Sequence, residues 1–287
     1  VSTTNARELA AAFSAPVARE LSKPHPAAWA HERVAPVAAL VDDSAPLSEA
    51  FETAYGLLAA EYRCEYVYKT SLINELAAAS PSAHAIPGLP VCMSIADVVV
   101  ADESASAFEI KTDLDSLARL DLQIFSYSRC FEYVQVVTSG AKAPKVLSAV
   151  PDHVGVLAVD DSAALEPVRA AIGGYSRLDI GSLFRVLRRD ERLAVLNRHI
   201  GYSADVPNAL LYRRTAELFM QIPIEEVYCD FVAQLRGRDA CNRAAARQAR
   251  LPSSLVAAAA GLKLSGIAWR RLGERLMQPC SQLAARP

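Results

Sequence analysis

Apolar positions change their spacing along the chain, and each spacing predicts an element. From Leu47 to about Ala79, Phe51, Tyr55, Leu58, Tyr62, Tyr66, Ile73 and Leu76 recur mostly at intervals of three and four, the period of an amphipathic helix or helix pair. The segment from Pro81 to Pro90 breaks that pattern. The run Ser94–Ala101, a polar stretch over 102–106 and the run Ala107–Thr112 then read as two antiparallel strands joined by a turn. Over 115–132, Leu117, Leu120, Ile124, Tyr127 and Phe131 share one helical stripe, with Asp113 or Asp115 as N-cap. The β-branched runs Tyr133–Thr138 and Val154–Val159 predict buried strands reached by right-handed crossovers, hence a mixed sheet with helices on both faces.

Ahead of Leu47 the pattern supports only short helices or a loosely packed arm, around Ala6–Ala12 and Pro26–Arg33. Beyond Ser176 no strand is expected, and Ser182–Leu196, Asn208–Met220, Ile224–Arg236 and Ser253–Met277 all read as helices. Pro223 and Pro252 suit the first turns of the last two. The expected fold class is α/β, a mixed sheet flanked by helices with a mainly helical C-terminal half. Three consecutive segments follow: an N-terminal helical arm over 1–50, a core over 51–165 and a basic helical region over 166–287.

Composition narrows the class. The 287 residues are 52% hydrophobic and 22% charged, enough for one large domain or two modest ones and too apolar for a disordered chain. The charge-free stretch from Leu76 to Ala96 is interrupted by Pro81, Pro87, Gly88 and Pro90, so no membrane partner is expected. No basic patch followed by an apolar run stands at the N-terminus, and the expected location is the cytoplasm. The six cysteines form no Cys-x-x-Cys pair and are expected as free, mostly buried thiols. The near-neutral net charge of −2 hides a division: residues 1–176 hold 12 basic and 22 acidic side chains, residues 177–287 hold 18 and 10. Nearly all of the latter 18 are arginine, which suits phosphate oxygens through its planar fork. The pairs Arg188 with Arg189 and Arg213 with Arg214 are candidates for gripping a nucleic-acid backbone; solvated helix faces are the plainer alternative.

The hairpin concentrates the chemistry. With its turn centred on Ser104, Asp97 lies opposite Lys111 and Glu109 opposite Val99, and the strand period of two sets Asp97, Glu109 and Lys111 on one face. Two neighbouring carboxylates repel unless a cation lies between them. A hard ion such as Mg²⁺, or Mn²⁺ in its place, fits and keeps waters for a substrate phosphate. Lys111 would steady the attacking water or the charge of the transition state, and the chemistry expected is phosphodiester hydrolysis. An ordinary salt-bridged strand face is the competing reading.

These residues resemble the PD-(D/E)xK, or restriction-endonuclease-like, nuclease superfamily: Asp97 before a valine strand, Glu109 and Lys111 on the next strand, and Gln123 with Tyr127 on the following helix. The last pair is similar to the Gln-x-x-x-Tyr element of RecB-like members. The stretch from Tyr62 to Ser139 also looks like a bacterial family assigned to that superfamily. The resemblance implies a core of helix, three-stranded meander, helix and further strand. It also implies an acidic residue from the upstream helix, for which Glu65 is chosen over Glu61 and Glu75. Ala96 stands where the motif has proline. The expectation is therefore a Mg²⁺-dependent nuclease acting on DNA, with a homodimer implied only by analogy with restriction-type enzymes. Asp97, Glu109 and Glu65 would be at the metal, Lys111 at the water, and Gln123 and Tyr127 would hold substrate or the lysine. A non-catalytic nucleic-acid- or partner-binding module of the same fold, or a toxin or defence effector, are the alternatives.

Overall fold

A computed structural model describes residues 3–284. In chain order it begins with α1 (Thr3–Ala12), α2 (Ala15–Leu21), α3 (Ala28–Ala38), α4 (Leu47–Glu61) and α5 (Glu65–Ala79). The hairpin region follows as β1 (His84–Val91), β2 (Ser94–Ala101) and β3 (Ala105–Lys111), then α6 (Leu120–Ser128), β4 (Tyr133–Ser139), α7 (Ala143–Ala149), β5 (Gly155–Val159) and β6 (Leu165–Arg169). Beyond β6 the described regular elements are helical: α8 (Ile180–Val186), α9 (Arg189–Ile200), α10 (Asn208–Phe219), α11 (Ile224–Gly237), α12 (Ala240–Gln248), α13 (Val256–Ala260), α14 (Gly266–Leu276) and α15 (Ser281–Ala284), with short 3-10 turns between some of them. This is the expected mixed α/β architecture with a helical C-terminal half. No helix among the described residues is long and apolar enough to cross a membrane.

The chain packs as two units. One takes the chain up to Ala79, the short piece Val159–Leu165 and the chain from Asp239 on; the other takes Ser80–Ala158 and Glu166–Arg238. The units interleave along the chain, where the sequence reading set out consecutive segments. Periodicity locates elements but is silent on which distant elements share a core.

The first unit is built of helices around Leu9, Phe13, Leu21, Phe51, Leu58, Trp269 and Leu272. The spacing of Trp269, Leu272 and Leu276 sets one apolar stripe of α14 into this core, and Trp269 Nε1 donates to Asn242 Oδ1 at 2.9 Å. The residues ahead of Leu47 therefore form packed short helices, and the loose-arm alternative falls, because α1 and α2 bury Leu9, Val17 and Leu21 almost completely.

The second unit holds a six-stranded mixed sheet in the order β1-β2-β3-β4-β5-β6. β1, β2 and β3 form an antiparallel meander, and β4 runs parallel to β3. β1 occupies the stretch that the sequence reading treated as a break. Its Pro87 and Pro90 are tolerated because β1 is an edge strand with β2 as its one neighbour. The hairpin register also differs from expectation. Val98 pairs with Phe108 and Ala101 with Ala105, so the loop is Asp102–Ser104 and Ser106 already lies in the ladder. One more step of this register sets Asp97 across from Glu109, where Lys111 had been expected. The assignment of faces survives, because the shift is by two. Val98, Val100, Phe108 and Ile110 are buried on one face, while Val99, Ala101, Ala105 and Ala107 on the other join the core of Leu120, Ile124, Tyr127 and Phe131.

The helix expected over 115–132 is shorter, spanning Leu120–Ser128. Asp115 does not cap it: Asp115 Oδ2 accepts from Thr112 N at 2.8 Å and Thr112 Oγ1 at 2.7 Å, closing a turn after β3. All six cysteines are free thiols. Only Cys130 and Cys280 are buried, Cys64 is half-buried, and Cys92, Cys229 and Cys241 are exposed, so the expectation of mostly buried thiols is corrected. The exposed three sit on the β1–β2 turn or on helix positions outside both cores.

Candidate active site

The candidate site lies within the second unit, where β2 and β3 meet α6. Two features fix its strand side. Asp97 Oδ2 accepts the backbone N–H of Ile110 at 2.8 Å, so this carboxylate takes over the ladder one residue beyond the last paired position. At the end of β3, Thr138 Oγ1 donates to Lys111 O at 2.7 Å, and Lys142 Nζ donates to Thr112 O at 2.5 Å. Lys111 is thereby held on a strand end whose backbone is tied on both sides.

Glu109 is the centre. It is 2% exposed, and Lys111 is 7% exposed. Lys111 Nζ donates to Glu109 Oε1 at 2.7 Å, and Gln123 Nε2 donates to the same oxygen. Tyr127 OH lies 2.7 Å from Glu109 Oε2 and 2.8 Å from Ile95 O, so one phenol proton serves two acceptors. Gln123 and Tyr127 meet the carboxylate together because i and i+4 share a helix face. Burial first, then the charge of Glu109 and its hydrogen bond, and then Asp97, push the Tyr127 phenol well above its ordinary value, so it remains a donor. Gln123 must turn its amide nitrogen to the carboxylate, which leaves Oε1 buried with no hydrogen-bond partner.

The structure thus brings together Asp97, Glu109, Lys111, Gln123 and Tyr127. Glu65 belongs to the first unit, in the opening turn of α5, where its exposed carboxylate takes Lys69 Nζ at 2.8 Å. Among the described residues no group of three or more His, Cys, Asp or Glu side chains is arranged to hold a metal ion. The oxygen donors present still suit a hard cation. Glu109 accepts three hydrogen bonds where a carboxylate offers about four lone-pair sites, and Mg²⁺ commonly takes only one or two carboxylates and completes its shell with water.

The arginine candidates are on the second unit's helices. Arg213 pairs with Glu217 at 3.1 Å on α10, Arg214 approaches Asp205 at 3.8 Å, and Arg188 precedes α9 with its Nε 4.0 Å from Glu191. Arg189 lines a cavity of about 320 Å³ with Arg192, Asn208 and Tyr212. Arg192 lies over the rings of Phe184 and Tyr212, 4.2 and 5.0 Å from their centroids.

Two polar clusters carry no sequence motif. His199 bridges Asp230, at 2.7 Å, and Glu226, at 3.1 Å. Cys92, Ser182, Arg185, Arg129 and Asp179 gather beside the β1–β2 turn. Each joins elements far apart in the chain, and only the i, i+4 spacing of Glu226 and Asp230 on α11 and the three-residue spacing of Asp179, Ser182 and Arg185 at α8 hint at them.

The family model described as Bacteriophage P4 protein cII matches residues 59–238, more than half of the chain. The chain is also similar to "Protein cII" of Enterobacteria phage P4, at 34% identity over 99 residues. That match covers 32% of this chain and 33% of the phage protein, so the chain spans about a third of its curated relative. No solved structure matches significantly.

Proposed function

Starting from a chain that belongs to the bacteriophage P4 protein cII family, we propose that it is a metal-dependent phosphodiester hydrolase of the PD-(D/E)xK type, with DNA as its substrate. The observation that carries this reading is the convergence of Lys111, Gln123 and Tyr127 on the buried Glu109 carboxylate, with Asp97 one register step away on β2. The order of helix, antiparallel meander, helix and a strand parallel to β3 adds support. So does the energetic cost of a buried Glu–Lys pair two residues apart on one strand, which joins no separate elements of the fold.

Asp97 and Glu109 would hold Mg²⁺ or Mn²⁺. When bound, the ion supplies Lewis-acid stabilisation of negative charge at the phosphodiester and makes a water more acidic. The remaining work belongs to side chains. Lys111 holds its ammonium against Glu109 and presents positive charge where the phosphate gains negative charge. Tyr127 and Gln123 fix both oxygens of Glu109, which keeps the carboxylate from rotating. The exposed Arg188, Arg189, Arg213 and Arg214 would add sequence-independent backbone contacts.

A second reading, a module of this fold that binds nucleic acid without cutting, draws on the absence of a third metal-ligating acid among the described residues. Cleavage of supercoiled, linear and single-stranded DNA and of RNA, with Mg²⁺, Mn²⁺ or EDTA, separates the two. Metal-dependent cutting that disappears in Asp97→Ala and Lys111→Ala is the expected result. Salt-sensitive binding without cutting, unchanged in both variants, would establish the second reading.

A further inference from the structure

We propose that the cavity between α9 and α10 binds a nucleotide through a terminal phosphate, the nucleotide being either free or the end of a strand. The cavity measures about 320 Å³ and is lined from the opening turns of the two helices, by Arg189, Arg192 and Leu193 on α9 and by Asn208, Leu211 and Tyr212 on α10. Small-molecule sites run from about 300 to 1,000 Å³, so this one suits a single nucleotide. Its binding role stands whether or not Glu109 and its partners cut.

Charge selects an anion. Among the described residues no acidic side chain lines the cavity. Arg188, Arg213 and Arg214 each lie near an acid, at 4.0, 3.1 and 3.8 Å from Glu191, Glu217 and Asp205. Arg189 and Arg192 differ: among the described residues the Arg189 guanidinium makes no ion pair or hydrogen bond, and Arg192 donates only to backbone carbonyls. Glu191, beside Arg192 in the chain, is already engaged, its two oxygens taking Arg238 at 2.7 and 2.6 Å and one of them Arg188 N at 2.6 Å. Arg192 is half-buried, and burial pulls its pKa down. A partly buried cation without a carboxylate is costly, and an anion in the cavity offsets that cost. Two guanidiniums match a phosphate monoester, with its charge of about −1.5 to −2, better than a singly charged phosphodiester.

The aromatic lining selects a flat ring. Arg192 Nε donates to Phe184 O at 2.7 Å and Nη2 to Arg185 O at 3.4 Å, and the guanidinium lies over the rings of Phe184 and Tyr212, 4.2 and 5.0 Å from their centroids. These bonds use two of its five N–H donors and hold the other three in a fixed plane. Phe184 is buried and backs the guanidinium, whereas Tyr212 is 54% exposed and edges the cavity. Tyr212, the guanidinium plane and the two leucines offer π faces and apolar carbon, a surface on which any base can stack. Asn208 adds an amide that both donates and accepts.

The test titrates the full chain with adenosine 5′-monophosphate and with adenosine by isothermal titration calorimetry, in EDTA so that no strand is cut. One monophosphate binds per chain, and adenosine binds at least about tenfold more weakly, the weight of a charge-assisted contact. Arg189→Gln weakens the monophosphate by about tenfold or more and leaves adenosine unchanged. Tyr212→Leu weakens both in the same proportion, and Arg270→Gln, an equal loss of charge on α14, changes neither. Circular dichroism checks each variant, and Arg189→Gln carries the test by itself if Tyr212→Leu does not fold. Asp97→Ala binds like the wild type, which separates this site from cleavage. Displacement of the monophosphate by a single-stranded oligonucleotide phosphorylated at its 5′ or its 3′ end, and not by its hydroxyl-ended counterpart, identifies the strand end as the ligand. If neither oligonucleotide displaces it, the free nucleotide is the ligand. Three outcomes overturn the proposal: no binding up to about 1 mM monophosphate, adenosine binding as tightly as the monophosphate, or equal weakening by Arg189→Gln and Arg270→Gln. Equal displacement by both oligonucleotides overturns it as well, since the terminal phosphate is then not what the cavity holds.

Discussion

The second unit holds two buried ion pairs of opposite character. At the corner of α9 and α11, Arg238 meets Glu191 through two bonds of 2.7 and 2.6 Å and also donates to Val186 O at 3.0 Å. Glu191 in turn accepts Arg188 N at 2.6 Å at the start of α9. Every polar atom there ties one helix end to another, and the fold explains the pair. Lys111 and Glu109 share a strand, and their pairing closes no gap between elements. Their partners are Gln123 and Tyr127, which meet both oxygens of the carboxylate, Tyr127 reaching Ile95 O as well. A buried charge pair is weak evidence for stability in itself, so what separates structure from chemistry is whether its hydrogen bonds do work that the backbone requires.

Substitutions can break the contrast. Under the proposed activity, Lys111→Met lowers cleavage by about 10²–10³-fold, the range for losing one preorganised charge donor, as read in single-turnover assays. Arg238→Met leaves cleavage per folded molecule unchanged but costs about 3–5 kcal/mol in urea denaturation, because Glu191 is stranded. Equal loss of cleavage in both variants would erase the distinction. The sharper test replaces both partners. Glu109→Leu with Lys111→Met removes both charges and leaves only Gln123 Nε2 without its acceptor, so it is expected to cost less than Lys111→Met alone, which strands the buried carboxylate. Glu191→Leu with Arg238→Met stays destabilised, since Arg188 N and Val186 O lose their partners. Tyr127→Phe removes the donor shared by Glu109 and Ile95 O and costs about 1–3 kcal/mol by the same denaturation assay.

The smallest effect concerns the far end of α6, where Ser128 Oγ lies 2.9 Å from His153 Nε2. Burial first, then Arg177 and Arg169, lower the His153 pKa. The unfolded chain therefore takes up this proton first as pH falls. The stabilisation is complete above about pH 6.5, the unfolded value, and is lost as pH falls through the lower folded value. His153→Gln should flatten the stability profile over that window, and an unchanged slope would show that His153 is not its source.

Much of the site was legible because its residues are close in sequence and obey short periods. The strand period of two set Asp97, Glu109 and Lys111 on one face, and the i, i+4 spacing joined Gln123 to Tyr127. The register differs from the expected one by two residues because Ser106 looks like a turn residue yet pairs with Val100. β1 was hidden by its own prolines, which an edge position permits and a sequence pattern cannot reveal. Glu65 was chosen on resemblance to a family whose upstream helix bears an acid, but its side chain is satisfied locally by Lys69. The helix-end pair of Arg238 and Glu191 joins residues 47 positions apart, beyond the reach of periodicity.

The first unit has a consequence for how the chain acquires its shape during synthesis. Its early helices leave the ribosome with part of their core missing, since Trp269, Leu272 and Leu276 are made some two hundred residues later. Leu47 N waits for Gln278 O, and Ala45 O waits for Cys280 N. The apolar surface of the early helices that these late residues cover thus stays exposed while the whole sheet unit is being translated. A stalled or truncated chain ending near Arg238 would carry a finished second unit alongside a sticky, half-covered helical remnant, the kind of species that aggregates or engages chaperones.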